Sequence, residues 1–331
     1  MAVNVVPPEL LSQICSLACT DDGSTVKSLR LTNRYMKQVC LPMQYQSLSI
    51  TRHEDLSRLV MKLHRVPDYF RRIYHLHLSL PFSESSSRLQ QNVNDVVSLL
   101  ILASPTLETL SFSTPSETIS PVVIARVFRI PFPRLMELAV HGNYPFPSPA
   151  STKMPLLERL HLSGNRNPYG LLPTLKGSFP MITHLRISGL SMASSFARQL
   201  ESYMKNHHEI AVHSSLDLKE EEWLSLRTPM TLPPIHSPLP PRLQHIFITA
   251  RIGADKRLSS VKKDAAMIDT LLACVDSHMK WRGDLGRKDG LHLALAMPDE
   301  VEPSSSASSL YTSLYEHWAD RLMGGLGCWA N

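Results

Sequence analysis

Pairs of histidine and arginine two residues apart are the groups best suited to chemistry in this sequence. The pairs are His75 and His77, Arg159 and His161, and His184 and Arg186. Imidazole and guanidinium groups donate hydrogen bonds to carboxylate and phosphate oxygens. The pairs therefore predict a surface that binds an acidic or phosphorylated segment of another protein.

Two other interpretations of these pairs stay open. Histidine is amphiphilic and is well tolerated on the surface of a sheet, so the pairs can be remnants of duplicated units without a binding role. A row of histidines can also bind a metal ion, but the close His, Cys and Asp spacing typical of a metal site is missing from the sequence.

The pairs occupy equivalent positions in a six-residue frame, apolar-x-x-apolar-x-apolar, that recurs along the chain. The frame starts are Tyr45, Ile73, Leu107, Leu135, Leu157, Ile182, His213, Leu243 and Lys288, of which the copies at 213 and 288 are the weakest. Successive starts lie between 22 and 45 residues apart, in or near the period of solenoids built from strand-and-helix units. The sequence thus predicts an irregular leucine-rich-repeat-like array of eight or nine units.

Side chains alternate between the two faces of a strand, so frame positions one, four and six are predicted to point into the array. Positions three, five and seven then face outward on a concave sheet. The outward set comprises His75, His77, Glu137, His141, Arg159, His161, His184, Arg186, Asp217, Lys219, His245, Phe247 and His292. Within it, the residues predicted to bind the target are Arg159, His161, His184, Arg186, His245 and Phe247.

Segments with helical periodicity follow most frames. They cover residues 55–66, 88–103, 119–128, 190–205, 219–227, 261–279 and 310–323. In the last of these, Leu310, Leu314, Trp318 and Leu322 share one side, and we predict that this helix covers the open end of the solenoid. The proline-rich segment 228–242 is predicted as a stiff connector, with a ligand for a proline-recognising domain as the alternative.

The composition excludes several classes of protein. An apolar fraction of 43% with 19% charged residues is typical of a folded chain. The net charge of +5 comes without a Lys/Arg-rich run, so nucleic acid is not an expected partner. Five scattered cysteines favour a reducing compartment over a disulfide scaffold. With neither a signal peptide nor a membrane-length apolar run, the expected location is the cytoplasm or the nucleus, without a membrane partner.

Motifs typical of enzymes are also missing from the sequence. It contains no G-x-S-x-G, no P-loop, no G-x-G-x-x-G and no H-E-x-x-H. We therefore expect no catalytic residues, no metal and no cofactor. A hydrolase or metal protein hidden in a divergent fold stays open as an alternative.

Residues 1–42 lack the frame and have helical periodicity instead. Pro8 and Glu9 open an apolar-periodic segment, which matches the preference of helix starts for proline and acidic residues. The apolar residues of this region include Leu10, Leu11, Ile14, Leu17, Leu29 and Leu31. The pattern predicts a compact helical unit, and one of about forty residues is marginally stable alone.

The run PPELLSQICSL…VKSLRLTNRYMKQVC resembles an F-box, whose pattern is roughly L-P-x-E-[LI]-[LI]-x-x-[IV], a spacer, and then L-x-[LT]-[VT]-[CSN]-[KR]-x-[WY]. The matching residues are Pro8, Glu9, Leu10, Leu11, Ile14, Leu29, Leu31, Thr32, Asn33, Arg34 and Tyr35. The chain departs from the pattern at Val6, where leucine often precedes the proline, and at Tyr35, where tryptophan is common. Because family members continue with degenerate leucine-rich repeats, the resemblance covers nearly the whole chain.

The resemblance implies an α/β protein in three parts: an all-α F-box at 1–42, an irregular leucine-rich-repeat solenoid or horseshoe at 43–300, and a linker with a C-terminal capping helix at 301–331. It also implies the substrate-recognition subunit of a Skp–cullin–F-box ubiquitin ligase. The residues that would dock the Skp-family adaptor are Pro8, Glu9, Leu10, Leu11, Ile14, Leu17, Leu29, Leu31 and Tyr35. The adaptor would connect the chain to a cullin-RING ligase, and the solenoid would hold an unidentified protein target. An interaction scaffold that works outside a ligase is the alternative.

Overall fold

The computed structural model describes residues 6–82, 87–147, 153–215, 239–251, 258–284, 291–296 and 307–329. The chain forms two compact units. Unit 1 comprises Met1–Pro145, Lys153–Ser163 and Val301–Asn331, and unit 2 comprises Phe146–Thr152 and Gly164–Glu300. Both units are α/β, and the strands paired within each of them run parallel.

Unit 1 begins with three short helices: α1 (Pro8–Ala18), α2 (Ser24–Thr32) and α3 (Arg34–Val39). Pro8 stands in the first turn of α1, where its missing N–H costs nothing. Gly23 precedes α2 with φ of +91°, and a Cβ there would lie 3.0 Å from the Ser47 carbonyl oxygen, so glycine suits this turn. The Asn33 side chain accepts a hydrogen bond from the Met36 N–H and caps α3.

The core of these three helices is small and rich in sulfur. Its buried members are Cys15, Cys19, Val26, Met36, Cys40 and Met43. Leu11, Leu29 and Val39 pack against them and are only partly buried. The short 3-10 helix Leu41–Met43 then leads from the helices to the first strand.

In the rest of unit 1, a helix follows each of the first three strands. The strands are β1 (Ser47–Ile50), β2 (His75–Ser79), β3 (Thr109–Ser113), β4 (Glu137–His141) and β5 (Arg159–Ser163). The helices are α4 (His53–His64), α5 (Leu89–Ala103) and α6 (Ser120–Arg129), with a 3-10 turn at Asp68–Phe70. Each strand pairs with the next in sequence, and the register places the same frame position side by side, as in Leu76↔Leu110 and Leu138↔Leu160.

Unit 2 contains β6 (His184–Leu190), β7 (His245–Ala250) and β8 (His292–Ala296), again in sequence order. Its helices are α7 (Leu171–Ser178), α8 (Ser194–Ser215) and α9 (Leu258–Asp284). The α8 and α9 helices pack on each other. Their contacts include the Asp264 carboxylate, which accepts a hydrogen bond from the Met192 N–H at 2.6 Å just before α8.

The predicted inward positions are confirmed. Frame positions one, four and six are buried in the six frames that start at 73, 107, 135, 157, 182 and 243. In the frame at 45, Tyr45 and Ile50 are buried and Leu48 is half-buried. Parallel strands covered by helices on that side need this continuous apolar layer. The predicted α/β fold class is therefore correct.

One local prediction is wrong and one helix was missed. The frame at 213 does not open a strand, because residues 213–215 end α8 and β7 pairs directly with β6; residues 216–218 lie outside the described part. Helix α7 was not predicted. The predicted helix at 219–227 and most of the proline-rich segment 228–242 fall outside the described residues.

The prediction that the C-terminal helix covers the end of the last repeat is also wrong. This helix, α10 (Ala307–Leu322), belongs to unit 1 and packs on β2 and β3. Leu314 and Trp318 are buried there, as the amphipathic pattern requires, while the side chain of Leu310 lies outside the described part. A 3-10 helix, Gly327–Trp329, follows α10 and packs on it.

Replacing Leu160 by alanine is expected to lower the free energy of unfolding by about 2–5 kcal/mol, because the side chain is fully buried and leaves a cavity. Leu156→Ala is the matched control, since Leu156 is 46% exposed and should change stability by about 0.5 kcal/mol or less. Urea unfolding followed by circular dichroism measures both. Equal losses in the two variants would contradict the assignment of the inward layer.

Candidate binding surfaces

The first candidate surface is a row of apolar side chains on α1. Leu10, Ile14 and Leu17 are spaced four and three residues apart, which places them on one side of the helix. All three are exposed, Leu17 at 79%. The opposite side of α1 carries Cys15, and Cys19 follows the end of the helix; both are buried. We call Leu10, Ile14 and Leu17 the α1 patch.

The other residues predicted to bind an adaptor are also accessible. The exposed members are Pro8, Glu9 and Leu31, and the half-buried members are Leu11, Leu29 and Tyr35. Leu31 is 86% exposed at the end of α2. Several large apolar side chains exposed together on so small a helical unit are typical of a surface that binds another protein.

The second candidate surface is the outward face of the strands in unit 1, and here the prediction of open side chains is wrong. His77 is 1% exposed and His161 is buried, because α10 and the 3-10 helix after it lie over them. The ring of His77 lies 5.5 Å from the ring of Tyr315 and 5.5 Å from that of Trp318. Two of the predicted exposed histidines are therefore packed against aromatic rings of the chain itself.

Glu137 accepts the hydrogen bonds that connect α10 and the following 3-10 helix to the strands. Its Oε2 accepts hydrogen bonds from Arg159 Nη1 at 3.1 Å and from Arg321 Nε at 3.2 Å. Its Oε1 accepts one from the indole Nε1 of Trp329 at 3.2 Å. Burial raises the pKa of this carboxyl, although the hydrogen bonds from Trp329 and Arg159 act in the opposite direction. One carboxylate thus gathers two arginines and a tryptophan from three elements.

Arg159 belongs to the predicted target-binding set, but its charge is already paired with that of Glu137. Glu137 and Arg159 face each other in the register of β4 and β5, where opposite charges on adjacent strands attract. Sequence reasoning placed Glu137 on the outward face but gave it no role. The signal that could have found it is the opposite charge at the same frame position of consecutive repeats.

A small cavity lies where α10 meets this face. It is lined by Thr109, Ser111, Glu137, His161 and Trp318 among others, and its volume is about 20 Å³. That is room for about one water molecule and far less than the several hundred Å³ of a metabolite site. The interface between α10 and the strands is therefore close-packed.

The third candidate surface is the outward face of the strands in unit 2. His184, His245 and His292 stand side by side in the register of β6, β7 and β8. The ring of His245 stacks on that of His184 at 4.5 Å and lies 5.7 Å from that of His292. Phe247 stacks on His245 at 5.9 Å but is buried, so its prediction as an open target-binding residue is wrong. Arg186 and the three histidines are half-buried.

This face is less positively charged than its composition suggests. Partial burial, His292 and Arg282 lower the pKa of His245, and burial and Arg282 lower that of His292. The lowered pKa values favour the neutral form of His245 and His292, and Arg186 remains a cation of this face. The predicted cationic centre is thus a row of histidine rings, two of which favour the neutral form, beside an arginine.

The described part of the chain contains no group of three or more His, Cys, Asp or Glu arranged to hold a metal ion. Among its helices, none combines the length and the apolar character that a membrane span requires. Comparison with models of known protein families finds no match. Searches among curated proteins and among solved structures find no match either.

Acidification is expected to destabilise the protein through His77. Burial lowers the pKa of His77 from 6.5 to about 4. The unfolded chain therefore takes up a proton at higher pH than the folded protein does, and the free energy of unfolding falls as the pH drops from about 6.5 to about 4. The loss from His77 is at most about 3 kcal/mol.

Urea unfolding between pH 7.5 and pH 4.5 measures this loss, with His77→Gln as the variant that cannot titrate. His75, whose pKa burial also lowers to about 4, contributes to the slope in both proteins, so the difference between them isolates His77. The same pH dependence in wild type and variant would show that His77 is not a buried neutral ring.

Proposed function

We propose that this protein is the substrate-recognition subunit of a Skp–cullin–F-box ubiquitin ligase. The observation that carries the proposal is the α1 patch. Leu10, Ile14 and Leu17 stay in water because other residues fill the core of the helical unit. Each leucine or isoleucine gains about 1.5–3 kcal/mol when it is transferred from water to an apolar environment, so a partner that covers the row is strongly favoured.

The sequence of α1 supports the choice of partner. The residues of the patch belong to the segment that resembles an F-box, together with Pro8 and Glu9 at the exposed start of the helix. We assign this region to the Skp-family adaptor. The strand–helix units after it are then a divergent leucine-rich-repeat solenoid, whose outward sheet face holds the target protein.

Within unit 2, the target-binding residues we propose are His184, Arg186 and His245; Phe247 is buried and is not part of this set. The stacked rings offer a flat, weakly polar platform, and the arginine beside them suits a carboxylate or phosphate of the target. The proposed role of the chain is to bring the target close to the ubiquitin-transfer machinery. Bond formation then belongs to other subunits of the ligase.

The test of adaptor binding is a charge placed in the α1 patch. Leu10→Asp and Ile14→Asp are each expected to reduce capture of a purified Skp-family adaptor at least tenfold, because a carboxylate would be buried without a partner. Both positions are exposed in the free protein, so the circular dichroism spectrum should stay unchanged. Binding is measured by surface plasmon resonance with the full chain immobilised.

Val122→Asp is the matched control, since Val122 is a 54% exposed apolar residue on α6 and its replacement should leave adaptor binding intact. Adaptor capture that survives both α1 substitutions would remove the docking assignment. Capture of the adaptor by the wild-type chain without recruitment of a cullin would favour the interaction scaffold over the ligase subunit.

A further inference from the structure

The C-terminal segment, residues 307–329, packs on the side of the unit 1 strands that the repeat pattern leaves for outward side chains. The strand residues that line the cavity beneath α10 or pack on its rings stand at frame positions three and five, with the exception of Leu110 at position four; they are Thr109, Leu110, Ser111, Glu137, Ala139, His161 and His77. The buried leucine layer lies on the other side of the same strands. The segment therefore covers the sheet without being part of the apolar core that holds the repeats together.

The segment has its own internal organisation after α10. Asp320 accepts hydrogen bonds from the N–H of Gly325, through its carbonyl oxygen, and from the N–H of Gly327, through its carboxylate. Arg321 donates from Nη1 to the Gly325 carbonyl oxygen at 2.6 Å. These contacts fold the end of the segment back, so that Trp329 and Arg321 reach the same carboxylate, that of Glu137.

The chemistry of this contact resembles that of an interface between two proteins. Trp318 and Trp329 are buried anchors, and Arg321 makes an ion pair with Glu137 at 3.2 Å. Tryptophan, tyrosine and arginine are the residues that most often dominate binding between proteins. By contrast, Met323 and Leu326 of the same segment remain exposed. Each repeat of a solenoid contacts its neighbours, whereas Arg321 and Glu137 are 184 residues apart in the sequence.

We propose that the C-terminal segment is an internal occupant of a helix-binding face, and that it competes with a partner helix of the same chemistry. The partner carries two aromatic residues three positions apart, as Tyr315 and Trp318 are, and an arginine three positions later that pairs with Glu137. This proposal deepens the proposed function and rests on its claim that the sheet face holds the target. Glu137 is the specificity-determining residue of the face.

The contacts of the individual side chains define which partner helix the face would bind. The rings of Tyr315 and Trp318 pack on His77, and the Tyr315 hydroxyl lies 3.5 Å from an Asp22 carboxylate oxygen. An aromatic pair thus fills the β2 end of the face. Glu137 already has Arg159 as one cationic neighbour, and its remaining acceptor capacity is used by groups of the segment. A partner with an acidic residue in place of Arg321 would bring two carboxylates together and be rejected.

The C-terminal segment competes with a partner helix from a favourable position, because it is attached to the same chain. A segment on the same chain has an effective concentration in the millimolar range, so a free peptide of the same sequence binds the wild-type protein poorly. Weakening the tethered copy alone frees the face for the peptide. The proposal therefore predicts that damage to the segment increases binding of an intact peptide in trans.

The experiment uses full-length protein and a fluorescein-labelled peptide of residues 307–329, with binding followed by fluorescence anisotropy. We expect the double variant Trp318→Ala/Arg321→Ala of the protein to bind the peptide at least tenfold more tightly than the wild type does. Met323→Ala is the matched control, because Met323 lies in the segment but is 74% exposed; this variant should behave as the wild type.

Two further arms test the assigned chemistry. Adding Glu137→Ala to the double variant should reverse the gain, and a peptide with Arg321→Ala should bind the double variant at least tenfold more weakly than the intact peptide. A double variant that keeps its circular dichroism spectrum but binds the peptide no better than wild type would overturn the proposal. Equal binding of the intact and Arg321→Ala peptides would overturn the role of Glu137.

Hydrogen exchange of the unmodified protein covers the case in which the double variant fails to fold. We expect the amides of α10 to exchange at least tenfold faster than those of β2, β3 and β4, because the segment opens without unfolding the strands. Exchange of α10 only together with these strands would show that it is part of the core and would overturn the proposal. Adaptor capture through the α1 patch is measured separately. Failure of the proposed function and failure of the proposed competition by the C-terminal segment can therefore be distinguished.

Discussion

Parallel register is the constraint on which this structure depends. Leu76, Leu110, Leu138 and Leu160 lie side by side at the fourth position of consecutive frames, and together with positions one and six they form one buried layer. A slip of one residue in any strand would expose the apolar side chains of that strand to water. The same register fixes the other face of the sheet, so every outward side chain stands beside the outward side chain of the next repeat.

Rows of like residues and pairs of unlike charge both follow from that arrangement. In unit 2, the strand register places three histidine rings in one row, with the rings of His184 and His245 stacked and that of His292 tilted. In unit 1, the third frame position places a glutamate beside an arginine, and the glutamate also accepts hydrogen bonds from Arg321 and Trp329. The outward strand face thus carries a row of imidazole rings in one unit and a buried carboxylate in the other.

Strands were predictable where the frame is apolar at all three inward positions, because the alternation has a direct physical cause. At 213 the first position is histidine and residues 213–215 still belong to α8. The frame at 288 starts with lysine and nevertheless overlaps a strand, β8, so a polar first position does not by itself exclude a strand. Helix α7 was missed because it is short and contains Pro173 and Gly177, which weaken any helical pattern. The destination of α10 could not be predicted, since its apolar side indicates burial but not the surface against which it is buried.

The two sides of α1 show a further limit of sequence reasoning. Leu10, Ile14 and Leu17 have helical spacing, and so do Leu11, Cys15 and Ala18. Spacing alone does not tell which row faces the core. The structure decides it, because the cysteine side fits the small space left by α2 and α3, and the larger aliphatic side chains remain outside.

A core filled by thiols has a chemical consequence for this unit. Burial raises the pKa of Cys19 to about 11 and that of Cys40 to about 12, so both are protonated at neutral pH and are poor nucleophiles. They become reactive when the three helices separate and water reaches the sulfur atoms. The rate at which an alkylating reagent modifies these thiols therefore reports how often the helices separate. A bound partner that stabilises the three helices would lower that rate.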